Sequence, residues 1–223
     1  LMTGRTELIG LVSNNFDNPA FMEIFDLFTR KLQERGLRPL LANLSGSSDP
    51  EQAVAMLRQY NVDAVIVASS TVSNAFVEGC LAADIPLVHA FGKPSGQPAI
   101  HVVGADNVQG GKIAAQTFLQ LGHGKVAFLG GPRTASSTVD RLKGFRAGLK
   151  AGGQAPVAEV FASSYCHEDG RQMMHRLLAG ASIEAVFCGD DIFAIGALDA
   201  CKEAGIAVPD DIGILGFNDI AMA

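Results

Sequence analysis

Short apolar runs and helix-like segments alternate along this chain. Nine runs have the length of a β-strand: Leu8–Ser13, Pro39–Leu44, Ala64–Ala68, Pro86–Phe91, Ile100–Gly104, Val126–Gly130, Val157–Ala162, Ala185–Cys188 and Ile212–Gly216. They are nearly continuous in Val, Ile and Leu instead of alternating with polar residues. This pattern is typical of strands that are buried on both faces of a sheet.

Helical signals fill most gaps between these runs. Leu142, Phe145 and Leu149 recur at helical spacing and share one face of a predicted helix. Another helix is predicted to start at Asp49–Glu51, where an N-cap residue is followed by a proline and then by a carboxylate. Repeated strand–helix units predict parallel sheets with helices on both faces, and therefore an α/β fold.

The alternation breaks once, in the helix-poor link from Pro86 through Lys93–Gly96 to Ile100, and resumes at Asp106. We therefore expect two doubly wound parallel-sheet lobes. Residues 1–104 form the first lobe and residues 105–223 form the second.

The composition is that of a globular protein, with 48% hydrophobic and 18% charged residues among 223. The net charge is −6 and Lys and Arg form no block, so this chain carries no nucleic-acid footprint of its own. No apolar run reaches membrane-spanning length, and we expect no membrane partner. The four cysteines lack metal-ligand spacing, which favours a reducing, cytoplasmic setting.

Gly110-Gly111-Lys112 raises the question of a phosphate-binding loop. The first glycine of that motif is replaced by Asp106, and Ile113 replaces the Ser or Thr that would hold magnesium. Dinucleotide fingerprints, nucleophile elbows and zinc motifs are also missing, so we expect neither an enzyme nor a cofactor. The glycines are expected to let a helix pack closely against the crossing strands or the sheet.

Polar and aromatic residues cluster after the predicted strands, where parallel α/β sheets bind ligands. They are Asn14, Asn15, Ser69, Ser70, Thr71, Arg141, Tyr165, Asp190, Asp191, Asn218 and Asp219. Planar hydrogen-bonding groups and an aromatic face suit a small polyhydroxylated or heterocyclic ligand. The alternatives are helix caps and turns for single residues and, for Asp190-Asp191, an acid/base pair.

Four segments resemble the effector-binding domain of LacI/GalR-type transcription regulators: IGLVSNNFDNPAF, VGADNVQGGKIAAQTFLQLGHGKVAFLGGP, RLKGFRAGL and AVFCGDDIFAIGALDACKEAGIAVPDDIGILGFND. The resemblance implies a periplasmic-binding-protein-like fold of type I with two lobes around a ligand cleft, a small-molecule effector and a homodimer. It also implies operator binding through an N-terminal helix-turn-helix module. We expect that this module and the last elements of the core lie outside this chain.

The resemblance also implies ligand-binding positions. They are Asn14, Phe21, Phe91, Arg141, Tyr165, Asp190 and Asn218. Asp190 matches a position that usually holds Asn, and Asn218 matches one that usually holds Asp, so the amide and the carboxylate are exchanged. Phe91 stands where many sugar-responsive members carry Asp or Asn, which favours a less hydroxylated or more aromatic effector.

Two rival functions stay open at this point. A periplasmic sugar-binding protein of an ABC transporter would share the fold, although the free cysteines and the absence of a signal sequence speak against it. A sugar-modifying enzyme would need an activated nucleophile or a metal site, and the sequence indicates neither.

Overall fold

The computed structural model describes residues 5–14, 16, 18–44, 49–69, 72–92 and 100–222. The link Lys93–Gly96 and the polar residues Asn15, Ser70 and Thr71 lie outside these ranges. The chain divides into two compact units, which we call unit 1 (Leu1–Ala105) and unit 2 (Asp106–Ala223).

The predicted strands are confirmed to within two residues at each end in the described chain. Unit 1 contains β1 (Leu8–Ser13), α1 (Pro19–Gln33), β2 (Arg38–Asn43), α2 (Pro50–Gln59), β3 (Ala64–Ala68), α3 (Asn74–Ala82), β4 (Leu87–Ala90) and β5 (His101–Val103). Unit 2 contains α4 (Asn107–Gln120), β6 (Val126–Gly130), α5 (Ser136–Ala151), β7 (Ala158–Phe161), α6 (His167–Gly180), β8 (Ala185–Cys188), α7 (Asp191–Glu203) and β9 (Gly213–Leu215).

Each unit is built on one parallel sheet. The strand order is β2-β1-β3-β4-β5 in unit 1 and β7-β6-β8-β9 in unit 2. In both sheets the strand order reverses direction beside the first strand, between β1 and β3 and between β6 and β8. The loops that follow the two strands diverge at these positions and leave room for a ligand.

Both faces of each sheet are covered by helices, as the α/β expectation requires. In β6, Val126 and Phe128 pack with α4 and α5, while Ala127 and Leu129 pack with α6 and α7. In unit 1, α2 and α3 cover one face and α1 covers the other. Strands buried on both faces explain why the apolar runs are continuous.

Polar caps place the helix starts at the carboxyl edges of the sheets. Asn18 caps α1 by accepting the Ala20 N–H at 3.0 Å, and Asp190 caps α7 by accepting the Ile192 N–H at 3.1 Å. Several polar residues that follow strands are therefore structural caps, whatever else they do.

The glycines of α4 serve a helix–helix contact. A Cβ at Gly111 would lie 2.8 Å from the Phe145 nitrogen, and one at Gly148 would lie 2.6 Å from the Ala115 Cβ. Gly144 likewise faces the α4 backbone with no space for a side chain. For Gly111 the expected contact with strands is therefore wrong, since α4 packs backbone to backbone against α5 at that residue; Gly110, by contrast, faces the ring of Phe217. No helix in the described residues has the length and apolar character needed to cross a membrane.

Candidate functional site

Asp190 and Asn218 form a pair at the carboxyl edge of unit 2. They follow β8 and β9, which are neighbouring strands, and Asn218 Nδ2 donates to Asp190 Oδ2 at 3.0 Å. Asp190 is 3% exposed, whereas Asn218 is exposed and has a left-handed backbone with φ of 125°. The buried carboxylate thereby fixes the orientation of the exposed amide.

Asp191 has a different role from its neighbour. Its carboxylate accepts the Ile220 N–H at 3.1 Å, and its own N–H donates to the Phe217 carbonyl at 3.0 Å. These bonds hold the turn that carries Asn218. The two adjacent carboxylates therefore bind different structural partners, which argues against a shared acid/base site.

Arg141 lies on α5 and is anchored inside unit 2. Its Nε donates to Asn107 Oδ1 at 2.8 Å, its Nη1 donates to the Gly189 carbonyl, and its guanidinium lies 3.6 Å from the centre of the Phe217 ring. The side chain is 8% exposed, so Arg141 also has a structural role within unit 2. The remaining nitrogen, Nη2, has no hydrogen-bond partner among the described residues.

The charge of Arg141 is balanced locally. Burial lowers the pKa of Arg141, while the negative charge of Asp190 opposes that shift. A guanidinium stays protonated in proteins, so the site keeps a positive group beside a buried carboxylate.

Tyr165 is held rigidly at the same edge. Its ring stacks on Phe193 with centroids 5.5 Å apart, and its hydroxyl lies 3.2 Å from the hydroxyls of Ser137 and Thr138. A Cβ at Gly131 would lie 2.6 Å from Tyr165 Cζ, so the ring packs directly on that backbone. A fixed aromatic ring loses little conformational entropy when a ligand packs against it.

Unit 1 offers a second set of polar and aromatic residues at its own carboxyl edge. The exposed Asn14 follows β1, and its Oδ1 accepts a hydrogen bond from the buried Ser69, which follows β3. The rings of Phe21 and Phe91 meet edge to face with centroids 5.5 Å apart, and both are half-buried.

Comparisons with known proteins agree with this architecture. A family model described as a periplasmic binding protein domain matches residues 9–222. The HTH-type transcriptional regulator CelR of Thermobifida fusca is 30% identical over 232 residues, which cover 100% of this chain and 68% of CelR. The HTH-type transcriptional repressor PurR of Proteus mirabilis is 30% identical over 234 residues, which cover 100% of this chain and 67% of PurR.

Solved structures give the same result. The transcriptional regulator CelR–cellobiose complex superposes with a TM-score of 0.89 at 29% identity, covering 98% of this chain and 69% of that chain. A LacI family regulator from Enterococcus faecium with bound ribose superposes with a TM-score of 0.84 at 25% identity, covering 96% of this chain and 79% of that chain.

The chain belongs to the LacI family of transcriptional regulators. It is the periplasmic-binding-protein domain of such a regulator, and its relatives are regulators, not enzymes. The predicted fold class and family resemblance are thus confirmed.

The seven predicted ligand positions of this LacI-family domain lie at or beside the carboxyl edges of the two sheets. Asp190 contacts Asn218, and Phe21 contacts Phe91. Arg141 and Tyr165 interact within unit 2 through their own separate partners, and Asn14 interacts with Ser69 in unit 1. Their role as ligand contacts stays a prediction.

Sequence reasoning missed three residues that shape these edges. Asn107 and Phe217 hold the Arg141 guanidinium, and His89 lies beneath Ser69. Phe217 directly follows the predicted strand Ile212–Gly216, and His89 is a polar residue within an apolar run, so both carried a signal in the sequence. Across the described residues, no group of three or more His, Cys, Asp or Glu side chains has the arrangement of a metal site.

Proposed function

We propose that this domain senses a small polyhydroxylated metabolite and changes the operator binding of a LacI-type regulator. The observation that carries the proposal is the constellation on unit 2, in which buried partners fix Arg141 and Asn218 while each keeps hydrogen-bonding capacity. Groups that are held in place before a ligand arrives bind it with a smaller entropic cost.

The remaining hydrogen-bonding capacity matches hydroxyl groups. Arg141 Nη2 supplies a donor, and the Asn218 amide keeps its Oδ1 acceptor and one N–H, since only one N–H is used by Asp190. A sugar hydroxyl donates and accepts at once, so it satisfies both kinds of group.

The aromatic side chains favour a ligand that also has an apolar face. Tyr165 in unit 2 and Phe21 and Phe91 in unit 1 are half-buried and present partly exposed rings. The ring carbons of a sugar stack on such faces, so Phe91 in place of a polar residue is compatible with a sugar effector that presents an apolar face. We therefore propose Asn14, Phe21 and Phe91 of unit 1 as effector contacts as well.

Titration calorimetry with cellobiose and ribose tests this reading, because related regulators are described with these sugars bound. Arg141→Lys keeps the positive charge but loses the planar guanidinium with its several N–H donors. We expect about 10- to 100-fold weaker binding, because the loss of one hydrogen bond to a charged group has an effect of this size. Lys143→Ala, on the exposed face of the same helix, is the matched control.

Two results would count against the proposal. The first is a failure of both cellobiose and ribose to raise the melting temperature of the protein at millimolar concentration, since a ligand that binds the native state must raise it. The second is equal affinity for the wild type and a folded Arg141→Lys variant.

The switching part of the proposal requires an assembly and a DNA reader. We propose that the full-length regulator is a cytoplasmic homodimer, consistent with the unpaired cysteines of the described chain. Sedimentation at micromolar concentration should give the mass of a dimer, and a monomer mass would contradict it. The effector then acts through its differential affinity for two states.

A further inference from the structure

A chain of polar contacts crosses three neighbouring strands of unit 1. The exposed Asn14 follows β1, Ser69 follows β3 and His89 lies in β4, and these strands are adjacent in the sheet. Ser69 Oγ donates to Asn14 Oδ1, and His89 Nε2 lies 2.7 Å from the Ser69 carbonyl oxygen. The contacts therefore lead from the surface into the core.

The direction of the inner hydrogen bond is fixed by chemistry. A carbonyl oxygen only accepts, so His89 Nε2 must carry the hydrogen and donate it. His89 is 6% exposed, and burial lowers its pKa although the bond to Ser69 opposes this shift. The neutral ring with hydrogen on Nε2 is therefore the form present at pH 7.

His89 is a polar residue in an apolar position. It pairs in register with Val67 on one side and Val102 on the other, and it lies in the apolar run of β4. An imidazole costs free energy to bury unless it is hydrogen-bonded, and an aliphatic residue would fill the same position without that cost.

The ring of His89 also braces the corner that carries Phe91. A Cβ at Gly92 would overlap the imidazole, so the backbone after Phe91 packs directly on the ring. Phe91 itself has a left-handed backbone with φ of 69°, and its N–H donates to the Val103 carbonyl at 2.6 Å. A non-glycine residue keeps that conformation only where its surroundings enforce it.

We propose that His89 is a positioning residue for the effector site of unit 1. It holds the Ser69 peptide so that the Ser69 hydroxyl engages Asn14 Oδ1, which fixes the orientation of the Asn14 side-chain amide at the edge of unit 1. The same ring sets the corner of Phe91. This inference rests on the proposed function for its ligand, but its geometry is testable without one.

The ligand-free test uses the side-chain amide resonances of Asn14 in the ¹H–¹⁵N NMR spectrum of the intact chain. His89→Phe removes the donor while it keeps a flat ring, and Ser69→Ala removes the hydroxyl that engages Asn14. Both variants should shift the Asn14 Nδ2 resonances. His89→Gln restores a donor on a side chain of similar reach and should return them towards the wild-type positions.

The ligand-bound test measures the affinity for cellobiose by calorimetry. His89→Phe and Ser69→Ala should weaken binding about three- to tenfold, the effect of one neutral hydrogen bond. His101→Phe is the matched control, because His101 is an exposed histidine in the neighbouring strand β5, and it should leave both readouts unchanged.

The outcomes separate the two proposals. If the Asn14 resonances stay unchanged in a folded His89→Phe variant, His89 is only a satisfied core residue and the inference is overturned. If His89→Phe does not fold, unchanged Asn14 resonances in Ser69→Ala overturn the inference instead, because the chain of contacts then does not orient Asn14. If wild-type protein does not bind cellobiose while the Asn14 resonances respond as expected, the sugar proposal fails for this ligand and the positioning role stands.

Discussion

Replacing Asn218 by Asp tests whether the contact with Asp190 organises the edge of unit 2. In the wild type, the amide donates to a carboxylate that is 3% exposed, over 3.0 Å. Asn218→Asp would place two carboxylates in the same contact. The substitution should therefore destabilise the domain at neutral pH, besides changing its ligand preference.

The size of the effect follows from three terms. Losing a hydrogen bond to a charged group costs about 1.5–3 kcal/mol. Two like charges about 4 Å apart repel by about 4 kcal/mol at an effective dielectric constant of 20. At pH 7 the pair can take up one proton, which limits the repulsion to about 4 kcal/mol. The exposed side chain at position 218 can also turn outwards and reduce it. We therefore expect the unfolding free energy to fall by about 2–4 kcal/mol.

The pH dependence has a definite sign. The shared site raises the folded pKa of one carboxyl above its unfolded value of about 3.9. Stability of the variant is therefore lowest at neutral pH and recovers as the pH falls through that raised pKa. The difference in unfolding free energy between variant and wild type should narrow between about pH 7 and pH 5.

The assay is urea unfolding followed by far-UV circular dichroism, because the chain contains no tryptophan. The control is the double exchange Asp190→Asn with Asn218→Asp, which restores one amide and one carboxylate and keeps a good N-cap on α7. It should recover most of the lost stability. Equal stability of Asn218→Asp and wild type at pH 7, or no coupling in the double variant, would refute the reasoning.

Two further predictions concern packing and loop order. Gly144→Ala should lower the unfolding free energy by about 3 kcal/mol or more, because the new methyl group meets the α4 backbone. Gly180→Ala, at the open end of α6, is the control and should be neutral or stabilising. Equal melting temperatures of the two variants in thermal unfolding would contradict this prediction. Asp169→Ala should cost about 1 kcal/mol, because the carboxylate accepts hydrogen bonds from Ser163 and Ser164. Burial raises the Asp169 pKa, but these hydrogen bonds lower it overall. The contribution of Asp169 to the unfolding free energy should therefore vanish as the pH falls through the lowered pKa. Unfolding measured between about pH 7 and pH 3 tests this.

The strands were predictable because burial on both faces leaves a direct mark in the sequence. The core of each sheet needs apolar residues at nearly every strand position, and the run Ala64–Ala68 contains only Ala, Val and Ile. The helix starts were predictable for a similar local reason, since Asp49 followed by Pro50 carries both a cap and a fixed first turn.

The partners of the site residues were not predictable in this way. Asp190 and Asn218 were both expected at a ligand site, but a contact across 28 positions depends on the register between β8 and β9. Arg141 was likewise expected at a ligand site, but its partners Asn107 and Gly189 were not predictable. The contact with Asn107 depends on the approach of α4 and α5, which is closer than side chains on both helices would permit. Pairings of this kind depend on tertiary geometry.

The close approach of α4 and α5 has a consequence for reading sequence variation in this family. Gly111, Gly144 and Gly148 touch neighbouring backbone or side-chain atoms so closely that every other amino acid is too large for them. In a saturation mutagenesis experiment these three glycines should tolerate substitution as poorly as the residues that bind the effector. Intolerance alone would then assign the glycines to the sensing site, and only ligand titration of the surviving variants would separate the packing positions from the recognition positions.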